Sequence, residues 1–167
     1  TKKPITNFYN FIKKYLERIL IKLFKYEDHI FHSISAFPSL KHNEINNLNI
    51  DLVHIHWVQH EMISIEEIGK IKVPIVWTLH DCWPFSSTEH YQKDNLDQRY
   101  IKGYKIKNFY RLSEYIDKLC FMRKKYSWTN NISLIAPSNW IADCAKNSLL
   151  MKNRKIINPA IPVSVNN

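Results

Sequence analysis

Glycine is nearly absent: the 167 residues contain two, Gly69 and Gly103. The chain therefore has no G-x-G-x-x-G turn, no G-x-x-x-x-G-K-[ST] loop and no G-x-S-x-G elbow. Each of those motifs needs backbone that glycine alone supplies beside a phosphate or a nucleophile. Cysteine is also scarce. Cys82, Cys120 and Cys144 are odd in number, widely spaced and without a C-x-x-C pair, which argues against a zinc knuckle and for a reducing compartment. No run approaches the ~20 apolar residues of a membrane-spanning helix. The N-terminus lacks an apolar stretch followed by a small-residue cleavage site. Together these absences point to a cytoplasmic chain.

What is present suits a globular domain. Apolar residues make up 45% of the chain and aromatics 13%, enough for one core at this length. Lysine and arginine number 24 against 15 aspartates and glutamates, a net charge of +9. Such an excess serves solubility, or attracts phosphate groups, lipid head groups or nucleic acid.

Residues 8–24 place Phe8, Phe11, Ile12, Tyr15, Leu16, Ile19, Leu20, Leu23 and Phe24 at helical spacing, with Lys13, Lys14, Arg18, Lys22 and Lys25 on the other side. The usual arrangement of such a helix is to cover a core with its lysines in water. The alternative is to lie on an anionic membrane surface. Residues 27–49 read as a polar connecting loop.

From residue 50 the pattern becomes an alternation. Residues 50–58 read as a strand. Residues 64–71 read as a short helix opened by Ser64 and Glu67 in capping-box spacing, and 73–79 as a second strand. Residues 86–111 form a long polar excursion, a kind of loop that is usually functional or disordered. A helix over 113–126, a strand over 133–136, a helix from Ser138 to about residue 150 and a strand over 154–159 complete the order. Such alternation predicts an α/β fold with a parallel sheet flanked by helices.

Ligands of open parallel sheets bind at the carboxyl ends of the strands. Three polar clusters fall there: His54-Ile55-His56-Trp57, His80-Asp81 and Ser138-Asn139-Trp140. On a strand, His54 and His56 share one face. Each residue also has a plain structural explanation: strand-end histidines hydrogen-bond, Trp57, Trp77, Trp83 and Trp140 can fill a core, and Asp81 can cap a turn. The H-x-H pair with a later His-Asp allows a metal-dependent hydrolase using His54, His56 and His80, although nothing in the spacing identifies a full ligand set.

The segments DLVHIHWVQHEMISIEEIGKIKVPIVWTLHDCWPF, EHY and LIAPSNWIADCAKNSLLM…RKIINPAI resemble the acceptor-side half of family-four glycosyltransferases, nearest those of bacterial capsule, O-antigen or exopolysaccharide assembly. The resemblance implies a Rossmann-like domain over 50–162, preceded at 1–49 by the basic helix and loop of the same domain. Residues 163–167 would begin an interdomain connection. It also implies the N-terminal part of a two-domain GT-B architecture, with a retaining transfer from a nucleotide-sugar to a lipid-linked or polysaccharide acceptor. His80 would act at the reacting sugar. His56, Trp57, Asp81, Trp83, Phe85 and Ser138 would bind substrate. No metal or cofactor beyond the donor is implied, and no nucleic acid. Peripheral attachment to the inner face of the cell membrane is possible through residues 8–25, and a non-catalytic membrane- or partner-binding remnant is the other alternative. Relatives often carry glycine near Ser86 and Ser87 and cysteines in the following loop, which this chain lacks. The glycine-rich first strand and the donor-binding domain are also missing, so the resemblance implies a fragment, inactive alone.

Overall fold

A computed structural model describes residues 3–26, 28–58, 60–92 and 97–159. The elements run α1 (Lys3–Leu23), α2 (Lys41–Asn46), β1 (Val53–Ile55), α3 (Ile65–Gly69), β2 (Ile75–Thr78), α4 (Arg99–Lys102), α5 (Leu112–Ser127), β3 (Ile132–Ile135), α6 (Asn139–Asn147) and β4 (Lys155–Ile157). The four strands form an all-parallel sheet in the order β1-β2-β3-β4. The fold is of the Rossmann-like α/β class. The expected interdomain connection at 163–167 lies outside the described residues.

Register explains the core. Val53, Ile75 and Ile132 stand side by side, as do Ile55, Trp77, Leu134 and Ile156. Since side chains alternate along a strand, both rows face the same way, and Ile55, Ile75, Trp77, Ile132 and Leu134 are buried. His54, Val76, Thr78, Ser133 and Ile135 lie on the opposite face and are less covered. Trp77, Trp83 and Trp128 gather in the core, with ring centroids 5.3 to 6.2 Å apart.

One of the two glycines has a packing reason. A Cβ on Gly69 would stand 2.0 Å from the Ser127 carbonyl oxygen, so only glycine lets the ends of α3 and α5 approach this closely. Arg123 of α5 clamps the same pair, its Nε and Nη2 donating to Glu66 at 2.6 and 2.8 Å.

Three segments depart from expectation. Residues 27–49 contain helix α2, and residues 31–33 pair antiparallel with 88–90 through the His32–Glu89 bridge. Residues 86–111, expected as a polar loop, contain helix α4, and their start is buried: with 81–85 before it, every residue to 90 is shielded from solvent, Ser86, Ser87, Thr88, Glu89 and His90 included. Helix α1, third, is turned over. Lys13 and Glu17 are buried while Phe8, Phe11, Tyr15, Leu16, Ile19 and Leu23 are exposed, the reverse of a helix that covers a core.

The buried loop is held by a lysine. Lys124 Nζ donates to the carbonyls of Trp83, Ser86 and Ser87 at 2.5, 3.3 and 2.5 Å, and stands 3.6 Å from the Trp83 ring centroid. Burial pushes its pKa down, to about 7, while the carbonyls and the ring face favour the ammonium. Replacing Lys124 with Met strands three buried carbonyls, so it should cost about 3 kcal/mol or more in denaturant unfolding.

Glu67 anchors the segment before α3. Its carboxylate accepts from the Ser39 amide at 2.7 Å, His42 Nδ1 at 3.0 Å and the Ser64 amide at 3.2 Å, completing the capping box. Burial alone would raise its pKa, but these bonds outweigh burial and hold it at about 2, below the ordinary 4.5. The unfolded chain therefore binds the proton first. Stability from Glu67 is present above about pH 4.5 and lost as pH falls toward 2. Glu67→Gln should cost about 2 kcal/mol at neutral pH and much less at about pH 3, as read by urea unfolding at each pH.

Candidate functional site

β1 and β2 run parallel, His54 opposite Val76 and Ile55 opposite Trp77, so the residues that follow them, His56 and His80 among them, emerge at the same edge of the sheet. Past the strand ends His56 Nδ1 lies 2.9 Å from His80 Nε2, which stands two residues beyond the position that the register sets opposite His56. Both rings are exposed. One of the facing nitrogens carries the shared proton and the other accepts it, so the pair fixes each ring's tautomer relative to the other. Among the described residues His80 Nδ1 has no hydrogen-bond partner, which leaves it directed to a ligand or to water.

Beside this pair stands Trp57, 44% exposed. Its indole Nε1 donates to Asp81 Oδ2 at 3.0 Å. Asp81 is buried and its other oxygen accepts from the Trp83 amide at 3.0 Å. His90 Nδ1 contacts Asp81 Oδ2 at 2.6 Å, and its Nε2 reaches Ser33 Oγ at 3.0 Å. The chain Asp81–His90–Ser33 has the order of a nucleophilic triad, but Ser33 is fully buried, so no substrate reaches its hydroxyl. Its role here is to hold Asp81, and through Asp81 the indole of Trp57.

Aromatic groups extend the surface. Phe31 is exposed, 6.4 Å from Trp57 and 4.6 Å from His90 between ring centroids, and His60 lies edge-on to Trp57 at 5.0 Å. Sequence inspection missed Phe31, His60, Ser33 and His90 as contributors. The first, second and third sit in segments with no periodic pattern. His60 and His90 do belong to the segments DLVHIHWVQHEM… and EHY, which were the available signal.

The expected residues divide. His56, Trp57, His80 and Asp81 come together. Trp83 and Phe85, expected in a cleft wall, are instead core side chains at 0% exposure; the ring of Trp83 is closed in by Lys124, Trp77 and Trp128. Ser138 lies at the same strand edge, but its hydroxyl accepts from the Ile141 amide at 3.3 Å as the N-cap of α6. His54 Nε2 turns to Thr78 Oγ1 at 2.8 Å. His54, His56 and His80 therefore do not aim three nitrogens at one point.

Among the described residues, His32, Glu89 and Asp117 are the group whose metal-ligating atoms lie within 4.8 Å of one another. His32 and Asp117 are engaged with other groups, and Glu89 Oε1 accepts from the Tyr104 hydroxyl, while Glu89 Oε2 has no hydrogen-bond partner among the described residues. His32 contacts Thr88 Oγ1 at 2.9 Å and Asp28 Oδ1 at 2.8 Å. Asp117 accepts from Thr88 Oγ1 at 2.6 Å, Tyr26 Oη at 3.0 Å and Arg99 Nη1 at 2.9 Å. Arg99, paired with Asp97 and Asp117 and 3.5 Å from Glu89, brings positive charge into this group. Burial raises the pKa of both Glu89 and Asp117. The three cysteines are buried and unpaired, and burial pushes the Cys120 thiol up to about 11, which leaves no ready thiolate nucleophile there.

No family model, curated protein or solved structure matches the chain.

His90→Phe removes the ring that holds Asp81 and leaves Ser33 Oγ without that partner. It should cost about 2 kcal/mol in stability and shift the Trp57 Nε1–H resonance in amide-region NMR spectra. His90→Gln should restore part of both. An unmoved Trp57 resonance in His90→Phe would show that His90 does not position it.

Proposed function

We propose that the chain is the acceptor-side domain of a retaining glycosyltransferase, of the family-four type that its sequence resembles. It would receive a lipid-linked or growing polysaccharide acceptor at the inner face of a membrane, against a nucleotide-sugar donor held mainly elsewhere. The observation that carries this reading is the exposed His56–His80 pair at the strand ends, set beside an indole fixed by Asp81.

Saccharides ask two things of a site: a flat apolar surface for the C–H face of the ring, and polar groups placed for hydroxyls. Trp57 and Phe31 provide the first. His80 Nδ1, its ring oriented by His56, provides the second. In retaining transfer on one face, the bond from the anomeric carbon to the phosphate oxygen breaks as the bond to the acceptor oxygen forms. The acceptor's proton passes to the departing phosphate. Such a reaction asks little acid–base chemistry of the protein and much positioning, which a hydrogen bond from a fixed imidazole supplies.

Two measurements test this. On the chain itself, titration with acceptor-type oligosaccharides should move NMR resonances of Trp57 and His80, and Trp57→Ala should weaken binding about tenfold. In the transferase that contains the domain, His80→Ala should lower kcat about 100-fold while the melting point is kept. Transfer at the wild-type rate in that variant sinks the assignment of His80.

A further inference from the structure

Helix α1 is seated by its polar side. Lys13, 1% exposed, donates from Nζ to the Glu61 carbonyl at 3.0 Å. Glu17, also buried, accepts from the amides of Ile34 and Ser35 at 2.8 and 3.2 Å. Glu61 in turn accepts from the Ala36 and Phe37 amides at 3.0 and 2.7 Å. Leu20, Ile21 and Phe24 add apolar contact on this side.

The consequence appears on the opposite side. Phe8, Phe11 and Leu23 are 66%, 65% and 60% exposed, and Tyr15, Leu16 and Ile19 are exposed with them. Positions 8, 11, 15, 19 and 23 succeed one another by three or four, so at 3.6 residues per turn they make one stripe, about 22 Å long. Lys14, Arg18, Lys22 and Lys25 are exposed, and at the same helical spacing they follow one edge of it. Along that edge a groove of about 430 Å³ is lined by Tyr15, Arg18, Ile19, Lys22, Ile30 and Phe31 among others.

We propose that this face of α1 is a docking surface for an anionic lipid bilayer, with the helix lying in the interface plane. An apolar stripe bordered by cations is what such an interface takes: the rings enter the acyl boundary while the ammonium groups stay with phosphate. A second copy of the chain is the poorer occupant, because it would bring the same basic edge and the same +9 charge to the contact. No helix among the described residues is long and apolar enough to cross a membrane, so α1 lies on the surface. The inference stands independently of the transferase reading.

Flotation of the full chain with vesicles tests it. The chain should rise with phosphatidylglycerol–phosphatidylcholine vesicles and remain below with phosphatidylcholine alone, and added salt should weaken the association. Phe11→Ser with Ile19→Ser should reduce binding at least about tenfold. Lys14→Gln with Lys22→Gln should reduce it about 25-fold, roughly fivefold for each cation. All four positions are exposed, so the melting point should not move. Failure to float with anionic vesicles, or variants that bind like the parent, overturns the proposal. A dimer in sedimentation equilibrium that Phe11→Ser dissolves assigns the stripe to a second copy and overturns it as well. Neither result bears on saccharide binding at Trp57 and His80.

Discussion

The Lys124 ammonium organises the part of the molecule where the candidate site lies. Ten consecutive residues, 81 to 90, follow β2 into the interior, and half of them are polar from Ser86 onward. Buried backbone carbonyls without donors would forbid that path. Lys124 offers three N–H groups to three of those carbonyls, and Trp83 receives the charge on its ring face. Neighbouring groups add to the supply: Ser86 Oγ, 2.7 and 2.8 Å from the Cys82 and Glu89 carbonyls, shares its one proton between them, and the Tyr104 hydroxyl donates to Glu89 while accepting from the Ser87 amide. With the loop held this way, Asp81 and His90 face each other at its two ends, joined also by the Cys82 amide and the His90 carbonyl at 2.8 Å.

The same supply of donors accounts for the division between buried and exposed chemistry. Asp117 inside is matched by donors at fixed positions, Arg99, Tyr26 and Thr88, whereas Glu89 keeps one oxygen without a partner among the described residues. A carboxylate matched as Asp117 is has little capacity to act on a substrate. The His56–His80 pair differs because it stands at the solvent edge and its hydrogen bond leaves ring nitrogen unengaged. Trp57 is intermediate: its nitrogen is tied down at Asp81 and its ring is free to touch a ligand. Order beneath and openness above are what a preorganised binding surface requires.

How far the sequence disclosed this follows from what its signals measure. Strand and helix order were legible, because alternation and caps act locally: Ser64 with Glu67, and Ser138 alone, make the caps their spacing predicts. That His56 and His80 share one crevice was legible too, since parallel neighbouring strands end at the same edge of the sheet; their direct contact, and that of Trp57 with Asp81, lies two residues past the strand register and was not. The side on which a helix mates was not. Periodicity finds a stripe in α1 but says nothing of its partner, and the isolated Lys13 and Glu17 outcompeted six large apolar groups because three backbone groups waited for them. Trp83 and Phe85 failed for a related reason. A motif places residues near a site along the chain, and only the loop's inward turn shows that these two point away from it.

Phe31 joins the two surfaces that the fold leaves open. It lines the groove beside Arg18 and Lys22 of α1, and it also stands against Trp57 and His90. Its backbone is fixed by the His90 amide, which donates to the Phe31 carbonyl at 3.0 Å. The buried loop that holds Asp81 therefore also sets the boundary between the helix face and the histidine pair. If α1 rests in a bilayer surface, Phe31 marks the short path from head groups to the strand ends. An acceptor with a lipid tail and a saccharide head needs such an arrangement, because its two ends must be bound in different solvents at once. A water-soluble substrate does not need it. Under the proposed transferase reading, the adjacency of the groove to the strand ends would favour a lipid-linked acceptor over a free polysaccharide.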